Sequence, residues 1–228
     1  MTTIADIREM ITINNIKPET GNVLFQDSLQ NSNSEEQTYH VYNGFDPIRA
    51  NLCDSLWGAF NLKLIAFIKS QNYTQEDLEE VANSIQIDDN HWDWLSKVCL
   101  HKSDEYEWFF LDINEKPQAA CLIYHPKKSA IDAGDIFYIE YVAVAPWNRN
   151  NPMEEKQFRG AGSEIIKCAI QYATESLGLR HGFSLHALPR AEGYYEKIGM
   201  TIFDALSKDT MKYYEMSEEN TQKYMGVL

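Results

Sequence analysis

Residues 136–145 limit more than any other segment what this chain can fold into. They read Ile-Phe-Tyr-Ile-Glu-Tyr-Val-Ala-Val-Ala and are followed by Pro146. An apolar run without regular alternation of polar residues is typical of a central β-strand that is covered on both faces. Proline lacks the amide that a central strand needs, so the strand should end at Pro146. The chain is therefore expected to build a sheet with other elements packed on both faces.

Apolar patterns elsewhere predict the remaining strands and helices. Residues 108–113 and 118–124 flank the turn-forming stretch 114–117, which predicts a β-hairpin. Thr74, followed at the third position by Asp77, predicts a capped helix start. The same criteria predict helices over 48–68, 91–100, 163–178 and 190–198, and strands over 183–188, 200–206 and 211–216.

Residues 26–38 differ in composition from the rest of the chain. Of these thirteen residues only Leu29 is apolar. Such a polar stretch is typical of an exposed loop or linker. We therefore expect residues 1–38 to form an N-terminal extension that ends in a polar linker, followed by a single domain over residues 39–228.

Charge and composition exclude several classes of protein. The chain carries 34 Asp and Glu against 20 Lys and Arg, a net charge of −14, which repels phosphate backbones and makes a nucleic-acid partner unexpected. Its four cysteines form no Cys-x-x-Cys pair and no zinc spacing with histidine, so no metal is expected. No basic leader and no membrane-length apolar stretch is present, so we expect a cytoplasmic protein with no membrane contact.

A glycine-bearing segment ahead of a predicted helix is the strongest functional signal. It reads Gln157-Phe158-Arg159-Gly160-Ala161-Gly162 and lies between the buried strand and the helix expected from Ser163. Glycine lets the backbone approach a ligand, and amides at a helix N-terminus lack intrahelical partners. The unpaired amides of residues 158–163, with the helix dipole, predict a pocket for a pyrophosphate. A plain tight turn can have the same pattern, so the motif alone leaves both interpretations open.

Two flanking segments extend this motif. Upstream, the predicted strand ends in Val144-Ala145-Pro146; downstream, after one strand, stands Ala191-Glu-Gly-Tyr-Tyr-Glu-Lys-Ile-Gly-Met200. In this order the three segments resemble the GNAT superfamily of acetyl-CoA-dependent N-acetyltransferases, and the resemblance covers residues 105–216. It implies an α+β GNAT fold with a central mixed, mostly antiparallel twisted sheet of six to seven strands and helices on both faces. It further implies that residues 48–104 shape the acceptor side and residues 105–216 the acetyl-CoA-binding core.

The resemblance also implies roles for individual residues. The backbone of Val142, Ala143 and Val144 would pair with the pantetheine arm of acetyl-CoA, as an added strand would. Residues 157–163, from Gln157 to Ser163, would hold the pyrophosphate. Tyr195 would lie near the cofactor sulfur and protonate the leaving thiolate, whereas its neighbour Tyr194, which points elsewhere on the helix, is expected to pack.

Two residues are candidates for the base that deprotonates the acceptor amine. Glu140 is the only charged residue in the apolar run, and burial should raise its pKa toward a value useful for a base. A carboxylate that is merely satisfied by tyrosine or backbone donors is the alternative for Glu140. His186, in the strand predicted over 183–188, is a second candidate, although a hydrogen-bonded core histidine is the favoured interpretation there.

The chain departs from the family pattern in one place that affects the site. Gln157 follows Pro146 by eleven residues, a longer separation than in most members, so residues 147–156 form an insertion. Arg149 stands at the usual spacing but lacks the glycines that should follow it. We therefore place the phosphate loop at residues 157–162.

The predicted function is transfer of the acetyl group of acetyl-CoA to a primary amine by direct attack. Because the chain is acidic, the acceptor is expected to be a cationic small molecule, a lysine side chain or an N-terminal amine. The alternative is a catalytically silent acyl-CoA-binding or regulatory module, since a fold does not determine a function. A monomer or a homodimer is expected.

Overall fold

The computed structural model describes residues 2–227, and the chain divides into two compact units. The first contains the residues up to Lys102, Trp108–Ala120 and Ala143–Gly162. The second contains Ser103–Glu107, Cys121–Val142 and the residues from Ser163 onward. Strands and helices that pass from one unit to the other are described as single elements below.

The described residues form eight β-strands and seven α-helices. The strands are β1 (Phe25–Gln30), β2 (Glu36–Asn43), β3 (Tyr106–Ile113), β4 (Lys116–Lys128), β5 (Asp135–Val144), β6 (Phe183–Ala187), β7 (Thr201–Ile202) and β8 (Lys212–Met216). The helices are α1 (Ile4–Ile13), α2 (Pro47–Ser70), α3 (Gln75–Ser84), α4 (Trp94–Leu100), α5 (Ala161–Glu175), α6 (Glu192–Lys197) and α7 (Glu218–Met225). None of these helices is both long and apolar enough to cross a membrane.

The strands form one mixed sheet in the order β1-β2-β3-β4-β5-β6-β8-β7. Strands β5 and β6 are parallel, and the pairs β1–β2, β2–β3, β6–β8 and β7–β8 are antiparallel. The α+β prediction is therefore confirmed, with eight strands in place of the expected six to seven. The two strands that the sequence patterns missed are β1 and β2.

The interpretation of residues 26–38 as an exposed loop or linker is wrong. Strands β1 and β2 form an antiparallel hairpin whose register runs from Phe25↔Val41 to Gln30↔Glu36. Strand β1 is at the edge of the sheet, and Leu29 is its only buried residue. An edge strand can carry polar side chains on both faces because both are wet, so its sequence looks like that of a loop. The division into residues 1–38 and 39–228 stays a prediction.

The other predicted elements lie close to their expected positions. The run 136–145 forms β5, and the hairpin turn has positive φ at Asn114 and Glu115, as a tight two-residue turn requires. Thr74 and Asp77 form the predicted capping box of α3. Helix α4 begins later than predicted because Asp93 caps it, accepting from the Ser96 amide. Helices α1 and α7 were not predicted.

The core of the first unit contains a buried ion pair. Arg49, at the start of α2, is 2% exposed; its Nε lies 2.8 Å from Asp112 Oδ2, and its guanidinium lies 3.4 Å from the ring centroid of Tyr42. Trp108, Phe109, Phe110 and Leu111 of β3 are buried around it. In the second unit the buried carboxylate of Glu215 accepts from the amides of Ala130 and Ile131 and from the hydroxyls of Ser129 and Tyr213. The Glu215 carboxylate is thus satisfied inside its own unit, whereas Asp112 has a partner for Oδ2 only and its buried Oδ1 has none among the described residues.

Candidate functional site

The predicted phosphate loop lies in the first unit and leads into α5, which begins at Ala161. Gly160 has φ +88°, a conformation that favours glycine. A Cβ on Gly162 would lie 3.1 Å from Val144 Cγ1, so a larger residue would require the first turn of α5 or the Val144 side chain to shift by a few tenths of an ångström. The two glycines therefore have different structural roles. Gly160 adopts a positive φ, and Gly162 allows α5 to pack closely against β5.

The backbone amides of this loop fall into two groups. The Gln157 amide donates to the Trp147 carbonyl at 3.1 Å, and the Phe158 amide donates to Asn148 Oδ1 at 3.0 Å. The expectation that the Phe158 amide is unpaired is therefore wrong. Within residues 2–227 no acceptor is found for the amides of Arg159 through Ser163. These five amides are available to an anion at the positive end of the α5 dipole.

The loop is surrounded by a side-chain hydrogen bond, a positive charge and a backbone contact from the β1–β2 hairpin. Gln157 is exposed and its Nε2 donates to Glu154 Oε1 at 3.0 Å, while Arg159, also exposed, adds a positive charge beside the free amides. The β1–β2 hairpin contacts the loop from another side, because the Ser32 amide donates to the Gln157 carbonyl at 3.0 Å. A segment that the sequence presents as a linker is thus part of the support of the loop.

Strand β5 parts from β6 after three paired residues. Among the described residues the register is Phe137↔Phe183, Tyr138↔Ser184 and Ile139↔Leu185. Both strands continue past these pairs, and within the described register no residue of β6 stands opposite Val142. At Val142 the edge of β5 toward β6 is therefore open, and an open strand edge can accept an extended ligand as an added strand.

Strand alternation decides which groups face this open edge. The Ala145 amide donates to the Gln118 carbonyl of β4, so Ala143 and Ala145 face β4, and Val142 and Val144 face the other edge. The Val144 carbonyl is already occupied: Arg149 Nε and Nη2 donate to it at 2.9 and 2.7 Å. The same guanidinium bonds the carboxylate of Asp89 and the Gln86 carbonyl. Arg149 is therefore engaged in tying the chain before α4 to the end of β5.

Glu140 lies in a tyrosine-rich part of the second unit and is half-buried, less enclosed than the apolar run predicts. Burial, and then the negative charge of Glu140, raise the pKa values of Tyr106, Tyr138 and Tyr141 above the ordinary value for tyrosine. Tyr138, Glu140 and Val142 alternate onto one face of β5. A carboxylate beside aromatic rings on an open strand edge can attract and deprotonate a cation.

His186 uses both of its ring nitrogens. Nε2 lies 2.9 Å from the Leu206 carbonyl, which only accepts, so Nε2 carries the proton; Nδ1 then accepts from the Tyr138 hydroxyl at 2.7 Å. Burial lowers the pKa of His186, which favours this neutral form. The hydrogen bonds that the favoured interpretation expects are present, but His186 is half-buried and not fully in the core.

Tyr195 is buried in α6, a helix of the second unit. Its ring lies 5.9 Å from that of Tyr214 on β8, and the Cys121 thiol of β4 is near enough to interact electrostatically with its hydroxyl. Because β5 and β6 stand between β4 and β8, Tyr195 lies across these two strands. Burial raises its pKa well above the ordinary value, so it stays protonated, and within residues 2–227 its hydroxyl has no hydrogen-bond partner.

Tyr194 has a different environment from its neighbour. Its hydroxyl lies 3.0 Å from Ser163 Oγ and 2.9 Å from the Tyr224 hydroxyl, and Tyr224 donates to the Ser163 carbonyl at 3.3 Å. Because the Tyr224 hydroxyl donates its proton to the Ser163 carbonyl, its oxygen accepts from the Tyr194 hydroxyl. The Tyr194 oxygen in turn accepts from the Ser163 hydroxyl, so each of the three hydroxyl protons has an acceptor. Tyr194 thus ties α6 and α7 to the first turn of α5, a packing role that the sequence predicted without its partners.

Several residues of the site were not predicted from sequence. They are Asn148, Gln118, Asp89, Tyr224 and Ser32, whose contacts join positions far apart in the chain. No local motif marks any of them. In the described part of the chain no group of three or more His, Cys, Asp or Glu side chains is arranged to hold a metal ion.

Comparison with known proteins rests on structure, since no family model matches the chain and no curated protein matches it. The GNAT domain of S. lividans PAT is 11% identical with a TM-score of 0.50, and the match covers 84% of this chain and 96% of that one. The chain has the fold of the GNAT superfamily. An uncharacterised protein of Bacillus halodurans matches at 10% identity and TM-score 0.52, over 90% of this chain and 96% of that one.

A weaker match to the GNAT fold is N-acetyltransferase PseH of Campylobacter jejuni, whose structure contains acetyl coenzyme A. It is 14% identical with a TM-score of 0.39, and the match covers 64% of this chain and 94% of that chain. At identities of this size the likeness to solved structures establishes the GNAT fold alone. The activity of this chain has to be argued from its own residues.

Proposed function

We propose that this chain binds acetyl-CoA and transfers its acetyl group to a primary amine. The row of five unpaired amides from Arg159 to Ser163, at the start of α5, carries the proposal. A pyrophosphate supplies the acceptors that these amides lack, and Arg159 adds a positive charge. Gln157 and Phe158 hold the loop through their backbone, while Gly160, Ala161, Gly162 and Ser163 offer amides to the ligand.

The open edge of β5 supplies a second binding element. The pantetheine arm of acetyl-CoA contains amide groups that can pair with a free strand edge. Val142 and the Val144 amide face this edge, whereas the Val144 carbonyl is taken by Arg149 and Ala143 faces β4. Pairing with the arm therefore falls to Val142 and the Val144 amide, and Ala143 contributes by holding the strand in the sheet.

The reaction requires one base and one acid. The neutral amine nitrogen bonds to the thioester carbonyl carbon, the carbon–sulfur bond breaks, and the sulfur leaves as a thiolate. The nitrogen then loses its second proton to water as the neutral amide forms. Glu140 takes the proton from the ammonium group, because His186 has both ring nitrogens engaged. Tyr195, protonated and with an unpaired hydroxyl, donates to the thiolate. Both residues belong to the second unit.

The acceptor is proposed to be a cationic amine, either a small molecule or a lysine or N-terminal amine of a peptide. The net charge of −14 attracts cations, and Glu140 stands among tyrosines whose ring faces favour them. A silent acyl-CoA-binding module is the alternative, and it requires the same loop but neither Glu140 nor Tyr195.

Release of free thiol separates the two functions. The purified protein is incubated with acetyl-CoA and, one at a time, a polyamine, an aminoglycoside, a lysine peptide and an anionic amine as control. We expect thiol release well above the protein-free rate with one cationic class and none with the anionic amine. Calorimetric binding of acetyl-CoA without thiol release from any amine would identify the silent module, and absence of binding would refute both.

Glu140→Gln tests the base while conserving shape. We expect kcat to fall by about a hundredfold or more, the usual size of a general-base contribution, and the decline of the rate at acid pH to disappear. The wild-type rate should decline at acid pH because protonation of Glu140 leaves no base to accept the proton of the amine. His186→Gln is the matched control and should change kcat by less than about threefold. Equal losses in both variants, or a near-normal rate for Glu140→Gln at every pH, would return Glu140 to a structural role.

Tyr195→Phe removes one hydroxyl and keeps the ring. Since the hydroxyl acts on the thiolate only in the transition state, kcat should fall about tenfold to a thousandfold while acetyl-CoA affinity stays nearly constant. Tyr194→Phe, which deletes the neighbouring hydroxyl and its bonds to Ser163 and Tyr224, is the control and should affect stability more than kcat. A kcat equal to that of the wild type for Tyr195→Phe would exclude the assignment.

A further inference from the structure

The insertion at residues 147–156 is closed at its base by two hydrogen bonds. The Gln157 amide donates to the Trp147 carbonyl at 3.1 Å, and the Phe158 amide donates to Asn148 Oδ1 at 3.0 Å. Residues 147–148 and 157–158 are therefore adjacent, although they lie ten positions apart in the chain. Residues 150–156 leave and return at the same place, so we call them the lobe.

Asn148 is itself held by a buried polar cluster. Its Nδ2 donates to Gln118 Oε1 at 3.1 Å, and Trp147 Nε1 donates to the same oxygen at 2.8 Å. Gln118 Nε2 in turn donates to the Lys116 carbonyl at 3.0 Å. Gln118 is 2% exposed, Asn148 7% and Trp147 8%. These bonds fix the orientation of both side-chain amides, since Gln118 Oε1 must accept twice and Asn148 Oδ1 is left to accept from Phe158.

The cluster joins the phosphate loop to the sheet. The Gln118 carbonyl of β4 accepts from the Ala145 amide at 2.8 Å, so the same residue holds the end of β5 by its backbone and the start of the loop through Asn148. Phe158 stands directly before the five unpaired amides. The Phe158 amide is the last amide of the loop that has a hydrogen-bond acceptor within the protein.

We propose that Asn148 is a positioning residue for the acetyl-CoA loop and that the lobe is dispensable for cofactor binding. This inference rests on the proposed function. Asn148 fixes Phe158 to Gln118 and thereby sets where the amides of residues 159–163 point. The chain can then carry an insertion between Pro146 and Gln157 without displacing the loop, because the lobe starts and ends at the clamp.

Asn148→Ala tests the positioning role. Loss of the acceptor leaves the amide of the half-buried Phe158 unpaired, so the loop is expected to rearrange and acetyl-CoA Kd and KM to rise about tenfold. The kcat and the KM for the amine should stay within about twofold, because nothing that touches the amine or the thiolate changes. A general loss of stability would instead lower the active fraction, and with it kcat, at constant KM.

Asn151→Ala is the matched control within the lobe. Asn151 Oδ1 accepts from the amides of Met153 and Glu154, and its Nδ2 donates to the Arg149 carbonyl, so the variant loses three hydrogen bonds but none to the loop. Its acetyl-CoA Kd should stay within about twofold of the wild type. Replacement of residues 150–155 by two glycines should keep acetyl-CoA Kd within about threefold, because it leaves the clamp intact.

Amide hydrogen exchange tests the clamp without any ligand. In the free wild-type protein Phe158 should exchange more slowly than the amides of 159–163, and this protection should fall about tenfold or more in Asn148→Ala but not in Asn151→Ala. Rapid exchange of Phe158 in the wild type would overturn the inference even if Asn148→Ala does not fold. Unchanged acetyl-CoA affinity in a folded Asn148→Ala, or loss of affinity in a folded lobe deletion, would also overturn it. Failure of the wild type to bind acetyl-CoA would refute the proposed function and leave the exchange result to decide on the clamp.

Discussion

The contact of Gly162 with Val144 is the constraint on which the candidate cofactor site depends. With no side chain on Gly162, the first turn of α5 comes close enough to β5 that an added Cβ would lie 3.1 Å from Val144 Cγ1. Helix α5 starts at Ala161, directly after the loop, and its first amides lack intrahelical acceptors, as at any helix start. Unpaired amides at a helix start are normally satisfied by a cap, by water or by a ligand. Here they face the place where the proposed pyrophosphate binds.

The polar contacts of the site divide into those that hold the backbone and those left open. Asn148, Gln118 and Arg149 have their hydrogen-bonding groups engaged with backbone atoms and with side chains inside the protein. The amides of residues 159–163 and the Tyr195 hydroxyl have no partner within the described part of the chain. A polar group without a partner in the protein has to be satisfied by water or by a ligand. This contrast separates the structural residues from those that we propose to act on substrate.

Sequence patterns predicted the elements that are buried on a regular period and missed those that are not. Strand β5 was found because burial imposes an apolar run on it, and helix α5 was found because it carries a helical stripe of apolar residues. Strand β1 was taken for a linker because an edge strand with one buried residue carries no such pattern. Helices α1 and α7 each bury one residue, Ile11 and Thr221, which is too little for a recognisable stripe.

For the site, the glycine motif located the loop but could not give its hydrogen bonds. The Phe158 amide was expected to be free because its acceptor, Asn148, lies across an insertion whose ends meet only in the folded chain. The engagement of Val144 by Arg149 likewise depends on Asp89, sixty residues away in the sequence. Local patterns report on local backbone geometry, whereas these contacts depend on how distant segments pack.

The central claim is that five backbone amides bind the pyrophosphate of acetyl-CoA, and residue-resolved hydrogen exchange with and without acetyl-CoA tests it most directly. Saturating acetyl-CoA should slow exchange at residues 159–163, because each amide gains an acceptor, and should leave Phe158 unchanged, because Asn148 already supplies one. Acetyl-CoA that binds by calorimetry while exchange at residues 159–163 stays the same would contradict the account.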